Sequence, residues 1–244
     1  MRRYFIYISY DGTAYHGWQV QPNGNSVQAE LQRALSLLYR REVSVTGAGR
    51  TDAGVHARQM VAHFDIDESL DCAQAAYRLN RILPRDIAVN KVEEVPSDLH
   101  ARFSATSRTY HFYIHTHRDP FRRHYSLELH YKLDFGLMNQ AAALLTGYDD
   151  FGAFCKTGAD VKTTICQVAE AQWIQENASC WYFRITANRF LRNMVRAVVG
   201  TLLEVGRGRM TIDEFRRVVE GKKRTAAGES MPGHALFLEE VRYD

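Results

Sequence analysis

The sequence predicts an α+β protein built from two similar α/β domains, each an antiparallel or mixed sheet flanked by helices. Three observations lead there. Apolar residues recur with the periods of strands and of helices, alternately, along both halves of the chain. Each half runs strand, helix, strands, helix, strand, with the division near residue 105, so the domains are set at 1–105 and 106–244. The 244 residues are 45% hydrophobic and 24% charged, which is globular composition with enough apolar mass for a sizeable core. No linker rich in Gly, Ser or Pro separates the halves, and identity between them is too slight to define a repeat.

In the first half, residues 3–9 read as a strand with Tyr4, Ile6 and Ile8 on one face, and Asp11-Gly12-Thr13 as a turn. Asn25 or Ser26 caps a helix of about 15 residues whose apolar stripe is Val27, Leu31, Ala34, Leu35 and Leu38. Val43-Ser44-Val45 alternates as a short strand, and residues 60–64 resume extended structure. A helix over 70–82 stops at Leu83-Pro84, and Ile87-Ala88-Val89 opens another strand.

In the second half, residues 108–115 alternate, with Tyr110, Phe112 and Ile114 on one face and His111 and Tyr113 on the other. Asp134 caps a helix over 135–146 that Gly147 closes. Strands follow near 164–174 and 180–187, then an amphipathic helix over 188–204. Thr211 and Glu214 form a capping box for a helix ending at Gly221, and residues 236–243 close the chain as a strand.

Composition narrows the function. No apolar run approaches the roughly 20 residues of a membrane helix. The N-terminus lacks the pattern of a signal peptide, so a cytoplasmic protein is expected. The cysteines at 72, 155, 166 and 180 form no Cys-x-x-Cys pair and read as buried free thiols. The net charge is only +3, yet Arg189, Arg192, Arg196, Arg207, Arg209, Arg216, Arg217, Lys222, Lys223 and Arg224 crowd into the last quarter. A local basic stripe matters more to a polyanion than the total.

The chemistry concentrates in residues 47–57, Gly-Ala-Gly-Arg-Thr-Asp-Ala-Gly-Val-His-Ala. Glycines supply a tight turn and a close approach for another molecule. Asp52 then stands alone as a carboxylate among small residues, directly after Arg50 and Thr51. A turn of no chemical consequence uses the same residue types. A phosphate loop does not fit: Gly47-Ala48-Gly49 opens a dinucleotide fingerprint, but Asp52 holds its third glycine position and would repel a pyrophosphate.

Two further segments accompany this loop: Leu99-His100-Ala101-Arg102-Phe103-Ser104-Ala105 with Arg108-Thr109-Tyr110, and Phe190-Leu191-Arg192-Asn193-Met194-Val195-Arg196 with Val199-Gly200-Thr201-Leu202-Leu203. With these, and with Tyr10-Asp11-Gly12-Thr13 and Gly17-Trp18-Gln19, the chain resembles the TruA family of tRNA pseudouridine synthases. The matching blocks run in the family's order from about residue 7 to residue 243.

The resemblance implies the pseudouridine synthase fold and the isomerisation of uridine to pseudouridine at positions 38, 39 and 40 of the tRNA anticodon stem-loop. It implies a homodimer that needs no metal or other cofactor. It assigns Asp52 as the catalytic carboxylate, which attacks the sugar or the base or takes a proton. Tyr110 matches the active-site tyrosine, placed to stack on the flipped uracil or assist proton removal from C5. Arg196 matches the basic partner of the catalytic aspartate, and Arg50 the arginine that takes the place of the extruded base.

His56 reads as structural, since the family chemistry does not need it. His111 and His115 share a strand face, but no Cys or carboxylate completes a metal site. That speaks against a metal-dependent hydrolase. The joint presence of Asp52, Tyr110 and Arg196 speaks against an RNA-binding or chaperone protein of the same fold without catalysis. Two departures from the family stand out: the loop Pro22-Asn23-Gly24-Asn25, and Ala235, where a glycine is common and a tight turn is expected to change.

Overall fold

The structure is a computed structural model and describes residues 1–22, 24–159 and 161–244, so Asn23 of the first loop lies outside the described residues. The chain forms two compact units, Met1–Thr106 with Phe237–Asp244, and Ser107–Leu236. The closing segment thus belongs with the first unit rather than with the C-terminal half.

The sheet of the first unit is ordered β4-β1-β3-β9. Strand β1 (Arg2–Tyr10) lies antiparallel to both β3 (His56–Ile66) and β4 (Ile87–Val95). Strand β9 (Leu236–Arg242) adds in parallel, with Phe237 opposite His56. Tyr4, Ile6 and Ile8 are fully buried as expected, and Phe5 is buried on the opposite face against Tyr243. Helix α1 (Val27–Tyr39) begins where the Ser26 hydroxyl accepts from the Ala29 N–H, a cap that contributes about 1 kcal/mol. It buries Val27, Leu31, Ala34 and Leu35 and leaves Leu38 half-buried. Helix α2 (Cys72–Ile82), capped by Asp71, packs on β4 and ends at Leu83 before Pro84.

Val43-Ser44-Val45 is not a strand. Its valines are buried, but its backbone bonds to helix side chains: Val43 N–H to Ser36, Val45 N–H to Gln32, and the Val45 carbonyl to Gln28. Pairing with β3 is confined to the two-residue β2 (Thr46–Gly47).

In the second unit, β8 (Cys180–Ala187) lies between β5 (Ser107–His115) and β7 (Val168–Asn177), antiparallel to both, and β6 (Leu127–Glu128) pairs with β5. Helix α3 (Phe135–Leu144), capped by Asp134, packs on β7 and passes into a 3-10 turn at Leu145–Gly147. Helix α4 (Met194–Gly206) is nearly all buried, and α5 (Ile212–Gly221) starts at the expected Thr211–Glu214 capping box. The start of α4 falls six residues later than expected. Asn193 adopts the left-handed conformation (φ 67°), and the Arg192 carbonyl accepts from Lys156 N–H instead of entering a helix.

Ala235 sits fully buried in the 3-10 turn Gly233–Ala235 and is not among the positive-φ residues, so the turn does not demand a glycine. Cys155, Cys166 and Cys180 are buried, Cys72 is half-buried, and all four are free. Burial pushes the Cys166 thiol up to about 11, which keeps it protonated and unreactive at neutral pH. Among the described residues no helix is long and apolar enough to cross a membrane.

Candidate active site

Asp52 lies in the loop between β2 and β3, half-buried, with Arg50 exposed two residues before it. The loop is held from beneath by the end of β1 and the segment that follows it. The Tyr10 phenol and the Thr51 hydroxyl bond at 2.8 Å, and Trp18 N–H donates to the Thr51 carbonyl at 3.2 Å. Val55 N–H donates to the Asp52 carbonyl at 3.2 Å, closing the turn.

Glycine makes this approach possible. Gly17 has φ +94°, and a Cβ there would stand 2.3 Å from the Thr51 carbonyl oxygen; one at Gly12 would stand 2.0 Å from that of Val55. The Tyr-Asp-Gly-Thr and Gly-Trp-Gln blocks therefore form the floor on which the aspartate loop rests. Periodicity gave no sign of this, because the signal is backbone contact between segments far apart in sequence. His56 completes the floor: it is 1% exposed, its Nδ1 accepts from Gly12 N–H at 3.0 Å, and its ring stacks on Phe237 at 4.5 Å.

The second unit carries Tyr110 and Arg196. Tyr110 is in β5 opposite Ile185, 9% exposed, with its ring edge-on to Phe190 at 5.1 Å. Arg196 is half-buried in the first turn of α4, and its Nε donates to the Met231 carbonyl. Met231 N–H returns a bond to the Arg196 carbonyl at 3.1 Å. This docking explains Val199-Gly200-Thr201: a Cβ at Gly200 would stand 1.8 Å from the Glu229 carbonyl oxygen, and Gly228 N–H donates to the Thr201 hydroxyl at 2.9 Å. The 228–231 segment is pressed onto α4 and fixes the guanidinium.

His115 is buried against the Ser126 hydroxyl at 2.9 Å, and His111 Nδ1 lies 3.3 Å from the Tyr113 phenol. Among the described residues no group of three or more His, Cys, Asp or Glu is placed to hold a metal ion.

The model of the tRNA pseudouridine synthase family matches residues 6–104 and 141–244, which include Arg50, Asp52 and Arg196. A tRNA pseudouridine synthase A of Bacteroides fragilis is 56% identical over 244 residues, covering 100% of this chain and 97% of that protein. One from Porphyromonas gingivalis is 52% identical (100% and 98%), and one from Bacillus subtilis 42% (97% and 97%). The chain belongs to the tRNA pseudouridine synthase family. It is an RNA pseudouridine synthase, an isomerase.

Within this pseudouridine synthase, the structure sorts the basic stripe. Lys222 pairs with Asp150 at 2.8 Å, and Arg224 is spent on Gly228 and Ala227 carbonyls and the Ser230 hydroxyl. Arg209 and Arg217 stand at the edge of ion-pair range from Glu204 and Glu214. Lys223, exposed at the end of α5, has no ion pair among the described residues and remains available to a polyanion.

Proposed function

We propose that this enzyme converts uridine to pseudouridine at positions 38, 39 and 40 of the tRNA anticodon stem-loop, as a cytoplasmic homodimer without a metal or other cofactor. The observation that carries the reading is the lone Asp52 carboxylate, half-buried on a loop whose backbone is fixed by Tyr10, Gly12, Gly17 and Trp18. Reactions that need one positioned carboxylate benefit from such rigidity.

In the proposed reaction the N1–C1′ bond of the uridine breaks, the uracil turns, and C5 bonds to C1′. The C5 proton leaves and N1 gains one, so composition is unchanged. Asp52 attacks the sugar or the base or takes a proton. From the family resemblance, Arg196 pairs with that carboxylate, Tyr110 stacks on the uracil, and Arg50 fills the space that the flipped base vacates. The deciding experiment maps pseudouridine in tRNA from cells with and without this protein. Loss at 38, 39 and 40 is expected; unchanged modification there overturns the assignment.

A further inference from the structure

The loop between β5 and β6 contains none of Arg50, Asp52, Tyr110 and Arg196. Its sequence, His117-Arg118-Asp119-Pro120-Phe121-Arg122-Arg123-His124-Tyr125, sets three arginines against one aspartate around an aromatic tip. Phe121 is 90% exposed and Tyr125 is 42% exposed. Tyr125 packs edge-on to His124 at 6.4 Å, whereas the Phe121 ring, almost wholly in water, is not held by packing within its own unit.

The loop's base is held firmly. Asp119 accepts from Phe121 N–H at 2.9 Å through its carboxylate and from Arg122 N–H at 3.2 Å through its carbonyl. Arg122 bonds Glu176 at the end of β7 at 2.8 Å and lies 3.6 Å from the Asp119 carboxylate. Tyr125 N–H donates to the Arg122 carbonyl, and the Ser126 hydroxyl anchors on His115. Asp119 in the loop and Glu176 on β7 are thus both spent on Arg122. Arg118 and Arg123 are exposed and have no ion pair among the described residues.

A loop held at its base, with an exposed aromatic ring that lies between Arg118 and Arg123 in sequence, has the chemistry of a nucleotide contact; Arg123 Nε donates to His124 Nε2 at 2.8 Å, which leaves its positive charge unpaired with a carboxylate. The ring offers a stacking surface to any base, and the cations offer neutralisation to the phosphates on either side. Aromatic rings and arginines also occur at protein–protein interfaces; a polyanion partner is distinguished by the linear fall of log K with log salt. Resting on the proposed action on tRNA, we infer that Phe121 stacks on an unpaired base of the bound tRNA, with Arg118 and Arg123 on its flanking phosphates, at a site separate from the reacting uridine.

The test measures tRNA binding by the full-length protein as a function of salt, with thermal melting as the folding control. Phe121→Ala is expected to weaken binding about 5- to 100-fold, and Phe121→Trp to restore it. Arg118→Gln with Arg123→Gln is expected to flatten the slope of log K against log salt by about 0.7–0.9 per lost contact. Wild-type affinity in the Ala variant overturns the inference. So does a folded Ala variant whose sedimentation mass falls, since the ring would then serve a second copy of the chain. Wild-type protein that forms no pseudouridine in tRNA overturns the underlying reading; wild-type turnover with unaltered Phe121→Ala binding overturns the loop contact alone.

Discussion

The phenol of Tyr10, at the end of β1, shares a 2.8 Å hydrogen bond with the hydroxyl of Thr51, the residue before Asp52. Both side chains are buried, 4% and 7% exposed. Sheet and aspartate loop are therefore joined through a polar contact shielded from water, where deleting one partner strands the other. Thr51→Val is expected to lower stability by about 1–3 kcal/mol and to reduce kcat more than it raises KM, because the carboxylate loses its fixed setting. Urea denaturation and steady-state kinetics on tRNA check both. Wild-type kcat in a destabilised variant would show that the bond supports the fold and leaves Asp52 unaffected.

Asp52 itself is expected to be indispensable to turnover and dispensable to binding. Asp52→Asn is nearly isosteric but supplies neither a nucleophile nor a base. Phosphate contacts provide most of the affinity of proteins for nucleic acids. Pseudouridine formation is expected to vanish, with the Kd for tRNA within a few-fold of wild type. Substantial turnover by the Asn variant removes Asp52 from the catalytic role.

The elements that pack were legible because packing imposes a period. The buried face of β1, the stripe of α1, and the caps at Ser26, Asp134 and Thr211 all stand where alternation and capping chemistry place them. Misreadings fall where side chains or distant backbone decide the conformation. Val43–Val45 alternates in burial but is bonded to Gln28, Gln32 and Ser36, which no local pattern reveals. The start of α4 is set by Asn193 and by the Arg192 carbonyl turning to Lys156. The residues that hold the candidate site, Gly17 under Thr51 and Gly200 under Glu229, are visible in sequence only as glycines; what they approach is a tertiary fact.

The basic stripe divides into bound and available cations. Lys222 is engaged by Asp150 at 2.8 Å, whereas Lys223 has no ion pair among the described residues. Lys223→Gln is expected to lower the slope of log K against log salt for tRNA by about 0.7–0.9. Lys222→Gln is expected to change it by less. Filter binding between low and moderate salt separates them, and equal slopes for both variants and wild type would place the stripe outside the RNA contact.

Acid is expected to destabilise the first unit through His63. Burial, with Arg3 and His100 nearby, brings this imidazole down to about 4, and its Nδ1 accepts from Ala101 N–H at 3.1 Å. An unfolded histidine titrates near 6.5, so the folded state resists protonation. The resulting stability is complete above about pH 6.5 and is lost as pH falls from there towards 4. At about 1.4 kcal/mol per pH unit, the loss across that window is about 3 kcal/mol. His100 in the same unit is also held low, chiefly by burial, and adds in the same direction; His115 and His234 are held low in the second unit and make it acid-sensitive in the same sense. Urea midpoints are expected to fall over this range and to fall less in His63→Gln, whose amide does not titrate. Equal pH dependence in the two proteins would assign the acid sensitivity to other groups.

Arg196 permits a test that separates charge from geometry. It occupies the first turn of a buried helix, and its Nε is committed to the Met231 carbonyl. The guanidinium is therefore held on one side while its terminal nitrogens project from the same rigid plane. A planar fork can engage both oxygens of a carboxylate, whereas an ammonium is a point charge that cannot also keep the Met231 bond in the same geometry. If the proposed pairing with Asp52 operates, Arg196→Lys is expected to fold, since helix propensity and the apolar stripe barely change, and to retain part of the single-turnover rate. Arg196→Met keeps an apolar stem and helix propensity but removes the cation, and its rate is expected to fall well below that of the Lys variant. Loss of the Met231 contact is common to both substitutions, so the difference between Lys and Met isolates the charge. Single-turnover rates across pH, with circular dichroism as the folding control, give the answer. A Met variant as fast as the Lys variant would mean that Arg196 only fastens the 228–231 segment to α4, and that Asp52 draws its orientation from its own loop.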